Sequence, residues 1–165
     1  MRRMFLWSMA FVFAACQPAT VDLTAGERAV ITDQVNARHT KMWDAFRAAD
    51  FDRGIAFFDA TDLVYAYEGV VLDYATMDEL WRPAFASITS QTITFADSRT
   101  DVLAPGVVAI TSSGTYAVTD TLGVTGPQAQ FAVTEVWMRR DGEWKLQFVH
   151  ESTPTQMPSQ CDLLP

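Results

Sequence analysis

The chain predicts an α+β domain shaped as a cone: a curved antiparallel sheet wrapped around a long N-terminal helix. Three observations predict it. Apolar residues recur at helical spacing in the first third, alternating strands fill most of the remainder, and Asp141-Gly142 near the end marks a tight hairpin turn. Helices segregated ahead of a meander of strands pack onto one face of the sheet, and a strongly twisted sheet curling around a helix encloses a conical cavity.

In chain order, residues 1–15 carry Arg2 and Arg3, an apolar run from Met4 to Phe13, and the small residues Ala14 and Ala15, the layout of an export signal. The run is too short for a spanning helix. Residues 16–25 read as a polar tether, residues 26–153 as one domain and residues 154–165 as a tail. Ile31, Val35, Met42, Trp43 and Phe46 form the apolar stripe of a helix over 26–49, and His39 falls within that stripe, where it reads as a structural residue. One or two further turns follow, with Asp50 or Asp52 as the cap.

The period then changes. Alternation around Glu68-Gly69 predicts a hairpin with Leu63, Tyr65 and Tyr67 on one face. A third helix is capped by Thr76, buries Leu80, Trp81 and Phe85, and kinks or restarts at Pro83. Two long strands flank Ala104-Pro105-Gly106; pairing Leu103 with Val108 brings Phe95 opposite Tyr116. In the last hairpin a two-residue Asp141-Gly142 loop sets Trp137 against Leu146, Glu135 against Phe148 and Val133 against His150. A three-residue bulged loop would slip this register by one and invert every facing residue.

Acidic residues outnumber basic ones, 20 to 12, and the net charge is −8; removing a leader that carries only arginines makes the balance more acidic still. Basic residues are scattered rather than clustered, which argues against nucleic-acid binding. Two cysteines, Cys16 and Cys161, show no C-x-x-C spacing, and Cys161 lies in a polar tail. The stretch Phe13-Ala14-Ala15-Cys16 resembles the lipobox of bacterial lipoproteins. That resemblance implies lipidation of Cys16, and Gln17 after it implies an outer-membrane lipoprotein facing the periplasm; soluble periplasmic or secreted export is the alternative.

Three segments resemble the nuclear-transport-factor-2-like superfamily and its SnoaL-like bacterial branch. They are "MWDAFRAADFDRGIAFF", "VYAYEGVVLDYATMDELW" and "VTEVWMRRDGEWKLQFVHES", and the resemblance runs from Gly26 to Ser152. The last strand departs from the family pattern at Gln147, Phe148 and Val149, where the family is more aliphatic and basic. The resemblance implies fold more than chemistry, since the superfamily holds isomerases, dehydratases, cyclases, epoxide hydrolases and non-catalytic binders.

In the two-residue register His150 shares an inward row with Trp144, Leu146, Phe148 and Ser152, and Glu135 lies diagonally across. Glu135 and His150 are therefore the candidate acid–base pair, because a carboxyl beside an imidazole in an apolar cavity exchanges protons near neutral pH. The same placement fits a structural histidine bonded to Ser152, Glu135 or a backbone carbonyl. Trp43, Tyr65, Tyr67, Trp81, Tyr116, Trp137 and Phe148 are the candidate ligand contacts, with a core role for each as the simpler reading. His39, His150 and Glu135 have no local metal-ligand spacing, and neither a nucleophile elbow nor a phosphate loop is present, so no metal and no cofactor is expected.

The expectation is a lipoprotein that binds a small apolar or aromatic molecule. The alternatives are a cofactor-independent isomerase, dehydratase or hydrolase, or a module that dimerises through the outer sheet face, where Val136 and Met138 lie. Expected partners are the small molecule, a second copy of the chain, and a membrane through the lipid anchor only.

Overall fold

The computed structural model describes residues 22–153. Helix α1 (Ala25–Arg47) starts at a capping box in which Thr24 and Glu27 satisfy each other's backbone N–H groups. Its buried stripe is Ile31, Val35, His39, Met42, Ala45 and Phe46, spaced three and four apart, so one face packs from Ile31 to Phe46. The short α2 (Phe51–Ile55) is capped by the Asp50 side chain, which accepts from the Arg53 N–H. Gly54 lies so close to the Phe46 ring that a Cβ would collide with it, which locks α2 against α1.

Strands β1 (Val64–Tyr67) and β2 (Val70–Leu72) turn at Glu68 and Gly69, both with positive φ, as a type I′ turn demands. Helix α3 (Tyr74–Ala86) is capped by Asp73, whose side chain accepts from the Thr76 N–H; Thr76 is the third helical residue, not the expected cap. The helix runs through Pro83 instead of restarting there. It buries Met77 rather than Leu80, which is 53 % exposed, while Trp81 and Phe85 are half-buried.

The long strands β3 (Ile88–Ala104), β4 (Val107–Asp120), β5 (Ala129–Arg140) and β6 (Glu143–Ser152) form an antiparallel meander. The six-stranded order is β2-β1-β6-β5-β4-β3. One junction is parallel, β1 to β6, so the sheet is mixed rather than wholly antiparallel. No turn joins those strands; they are brought together by closure of the whole chain.

Bulges curve this sheet and shift its registers. The β3–β4 pair has three irregularities, and the two nearer its turn place Val102 opposite Val108, one residue from the expected Leu103–Val108 pair, and Ile93 opposite Tyr116, two residues from the expected Phe95–Tyr116 pair. Gly114 sits against the Thr94 carbonyl at one of these irregularities, where a Cβ would collide with backbone. The β5–β6 turn is the expected two-residue one, with Asp141 at φ 49° and Gly142 at φ 86°, and Trp137 pairs with Leu146 as anticipated. The next pair is Val136 with Phe148, so Gln147 is an extra residue bulged out of β6.

That bulge overturns the inward row read from the sequence. Beyond it Glu135 pairs with Val149, Val133 with Glu151, and Thr134 with His150. Val149 is buried, Glu151 points into the barrel, and His150 is exposed on the outer face. Phe148 likewise moves to the outer row, between Val136 on β5 and Val64 on β1.

Candidate active site

Glu135 occupies the middle of the concave face, in a cross-strand row with Ile110 of β4, Val149 of β6 and Tyr65 of β1. It is 1 % exposed. A carboxyl so placed must find its partners inside the protein. Trp137, two residues along the same strand face, donates its indole N–H to Oε2 at 3.0 Å. From α1, the Trp43 indole N–H lies 3.1 Å from Oε1 and 2.9 Å from His39 Nε2 and is shared between them. His39 Nε2 in turn lies 3.3 Å from Glu135 Oε2.

The imidazole that meets Glu135 is thus His39, one helical turn before Trp43, and not His150. The i, i+4 spacing stacks His39 and Trp43 on one helix face, and α1 lays that face over β5. At 3.3 Å the contact has ion-pair geometry, but burial opposes charge on both groups. It raises the Glu135 carboxyl to about 8 against the pull of the Trp137 and Trp43 N–H groups. It lowers His39 to about 4, with the Arg47 charge assisting. Burial thus favours the uncharged form of each group, the carboxylic acid of Glu135 and the neutral imidazole of His39.

A second carboxyl faces the same cavity. Glu151, diagonal to Glu135 across the β5–β6 pair, accepts from the Tyr65 hydroxyl at 2.6 Å. Its pKa is raised, by burial first, with the Tyr65 bond opposing and the Glu68 charge adding. Diagonal neighbours across such a pair are about 7–8 Å apart. Sequence reading missed Glu151. The available signal was the adjacent apolar pair Phe148-Val149, which breaks strict alternation and fits a strand whose phase changes.

The cavity has two chambers. The inner, about 110 Å³, is walled by apolar side chains of α1, α2 and α3, including Met42, Phe46, Ile55 and Met77, and has Tyr65, Glu135 and Glu151 on its floor. The outer, about 100 Å³, lies between Trp43, Tyr67, Trp81, Tyr116, Phe131 and Glu151. Trp43, Trp81, Gln91 and Glu151 border both. The Trp81 indole Nε1 is buried and has no hydrogen-bond partner among the described residues.

Of the expected ligand contacts, Trp43, Tyr65 and Trp81 line the inner chamber, and Tyr67 and Tyr116 the outer. Trp137 is fully buried and braces Glu135 instead of forming a wall. Phe148 and His150 face away, so the structure does not bring Glu135 and His150 together. Cys16 lies outside the described residues. Among the described residues, no three His, Cys, Asp or Glu side chains cluster as a metal site would require.

The chain matches the SnoaL-like domain family over residues 35–156. No curated protein matches it significantly in sequence. Among solved structures it is similar to a protein from Streptomyces avermitilis assigned as a dehydratase of the NTF2-like family. That pair has a TM-score of 0.66 at 16 % identity, covering 77 % of this chain and 98 % of the other. A Novosphingobium aromaticivorans protein assigned as a scytalone dehydratase aligns with a TM-score of 0.67 at 10 % identity, covering 80 % and 89 %. The association domain of C. elegans CaMKII aligns with a TM-score of 0.62 at 19 % identity, covering 79 % and 100 %. Identities this low speak to the fold alone, and the cone-like α+β architecture is shared by all three. With the family match spanning most of its length, the chain belongs to the SnoaL-like domain family.

Proposed function

We propose that this domain binds a small, largely apolar or aromatic molecule in the two-chambered cavity. The observation that carries the reading is the cavity itself: aromatic and aliphatic walls around two inward carboxyls, a tyrosine hydroxyl and the Trp81 N–H, which has no partner among the described residues. Pockets that combine apolar walls with a few convergent polar groups are the usual small-molecule sites. The chambers are modest, since an apolar cavity of about 150 Å³ holds a benzene ring. The test is mass spectrometry of small molecules released from the purified domain, compared with a Met77→Trp variant whose inner chamber is filled. A molecule recovered from wild type and lost from the variant supports the reading; identical profiles from two folded proteins reject it.

A second reading is cofactor-independent acid–base chemistry. It is favoured by the pairing of Glu135, held as an acid beside a neutral imidazole, with Glu151, a second carboxyl on the same floor. Glu135 would donate a proton, Glu151 would accept one, and His39 would orient Glu135. The dehydratase assignments of two structural neighbours support this reading at the level of fold. We further propose, from the lipobox-like residues before Cys16, a lipid-anchored protein facing the periplasm; Cys16→Ser releases it from membranes if so. A dimer through the outer face is supported by the row Val64, Phe148, Val136 and Ala109, which presents apolar side chains away from the cavity. Sedimentation distinguishes dimer from monomer.

A further inference from the structure

Within the binding reading above, on which this inference rests, the outer chamber has a chemistry of its own. Five aromatic rings border it, from Trp43, Tyr67, Trp81, Tyr116 and Phe131. Two neighbouring pairs are steeply inclined, and a third, Trp43 with Phe131, is near parallel at 28° with centroids 6.2 Å apart. Tyr67 meets Trp81 at 78° with centroids 5.2 Å apart, and Tyr116 meets Phe131 at 64° and 6.3 Å. Rings so inclined form adjoining walls of a box. The ionisable side chain at the box is Glu151, and among the described residues no Lys, Arg or His borders either chamber.

Each ring carries partial negative charge on its face and positive charge at its edge, so a box of rings beside a carboxylate attracts a compact cation. A neutral hydrocarbon of the same shape gains the contact area but not the charge attraction. An anion meets Glu151 and no compensating base among the lining residues. We propose that the outer chamber receives the alkylammonium head of a small organic cation, paired with Glu151 and walled by Trp43, Trp81, Tyr67 and Tyr116. The rest of the ligand extends toward the apolar inner chamber. The Trp81 N–H, which borders both chambers and lacks a partner among the described residues, suits an oxygen on the carbon chain next to the ammonium.

The probes are choline and 3,3-dimethylbutan-1-ol, which share shape and hydroxyl group and differ in the quaternary nitrogen. Binding to the whole domain is followed by calorimetry and by tryptophan fluorescence, to which Trp43 and Trp81 contribute. The expected result is choline binding at least about tenfold more tightly than its neutral counterpart. Glu151→Gln is expected to abolish that preference, read as the ratio of the two affinities measured on the same variant. Tyr67→Leu, on a half-buried side chain, is expected to narrow the preference without unfolding the domain. Equal affinities, or tighter binding of the neutral compound, would overturn the cation proposal and leave the apolar-ligand reading standing. Binding of neither probe overturns the cation proposal, and it counts against the wider reading only if the release experiment also finds no ligand.

Discussion

The two halves of the β5–β6 hairpin obey different rules. Near the turn, from Arg140↔Glu143 to Trp137↔Leu146, the pairing is the one that a two-residue Asp141-Gly142 loop imposes. Beyond Gln147 it is shifted by one residue, and every side chain of β6 changes face relative to simple alternation. The near half shows that a turn dictates register locally. The far half shows that a single bulge decides which residues see the cavity. Glu151 rather than His150 is inward for that reason alone.

The comparison is broken most severely by moving the phase change. Deleting Val149 shifts His150 to the place opposite Glu135 and turns Glu151 outward, removing a buried aliphatic side chain and the Tyr65–Glu151 bond together. The expected loss is more than about 4 kcal/mol by urea unfolding. Deleting Gln147 instead removes the bulge while retaining both the Trp137↔Leu146 and Val136↔Phe148 pairs, so every side chain keeps its face. Its cost is expected near 1–2 kcal/mol, roughly that of straightening the strand. Equal losses from the two deletions would mean that phase is not what matters.

Glu135 offers a subtler test, with an effect on the order of a few kcal/mol. Its folded pKa, about 8 against 4.5, makes the native state bind more protons than the unfolded state between those values, so stability falls as pH rises through that window. His39 acts in the opposite sense. Its value, lowered from 6.5 to about 4, makes the unfolded state bind more protons, so stability rises with pH over that range. The two slopes oppose each other below pH 6.5, and from there to pH 8 the fall due to Glu135 remains. Glu135→Gln, which mimics the protonated acid, should flatten that fall in melting curves recorded from pH 6.5 to 8. An unchanged slope would show that Glu135 is ionised in the folded protein.

Smaller effects belong to the turn and to the outer face. Gly142→Val is expected to cost about 1–3 kcal/mol, since φ of 86° resists a β-branched residue. A melting temperature equal to wild type would show that the turn tolerates it. His150→Ala, on an exposed outer position, is expected to change stability by less than about 0.5 kcal/mol and to leave ligand affinity intact. His39→Ala should instead weaken binding, because it removes the imidazole against Glu135 and loosens Trp43. If the two histidine variants behaved alike, the assignment of inner and outer histidines would be wrong.

Local chemistry made much of this molecule legible from its sequence. Helical spacing marked α1 and its stripe, including the inward position of His39; paired residues of positive-φ tolerance marked the Glu68-Gly69 and Asp141-Gly142 turns; and Glu135 stood out as an acid on an apolar strand face. Each is decided by residues within a few positions of one another. Tertiary structure decided the rest. The β1–β6 pairing joins strands separated by most of the domain, so no turn announces it. The bulge at Gln147 lies where β6 passes from its contacts with residues 57–59, at Leu146, to its pairing with β1, at Phe148, partners far away in sequence. The meeting of His39, Trp43 and Glu135 depends on the height at which α1 crosses β5. Periodicity reports which face a side chain occupies only while the strand stays in phase, and here the phase breaks where the partner of β6 changes from residues 57–59 to β1.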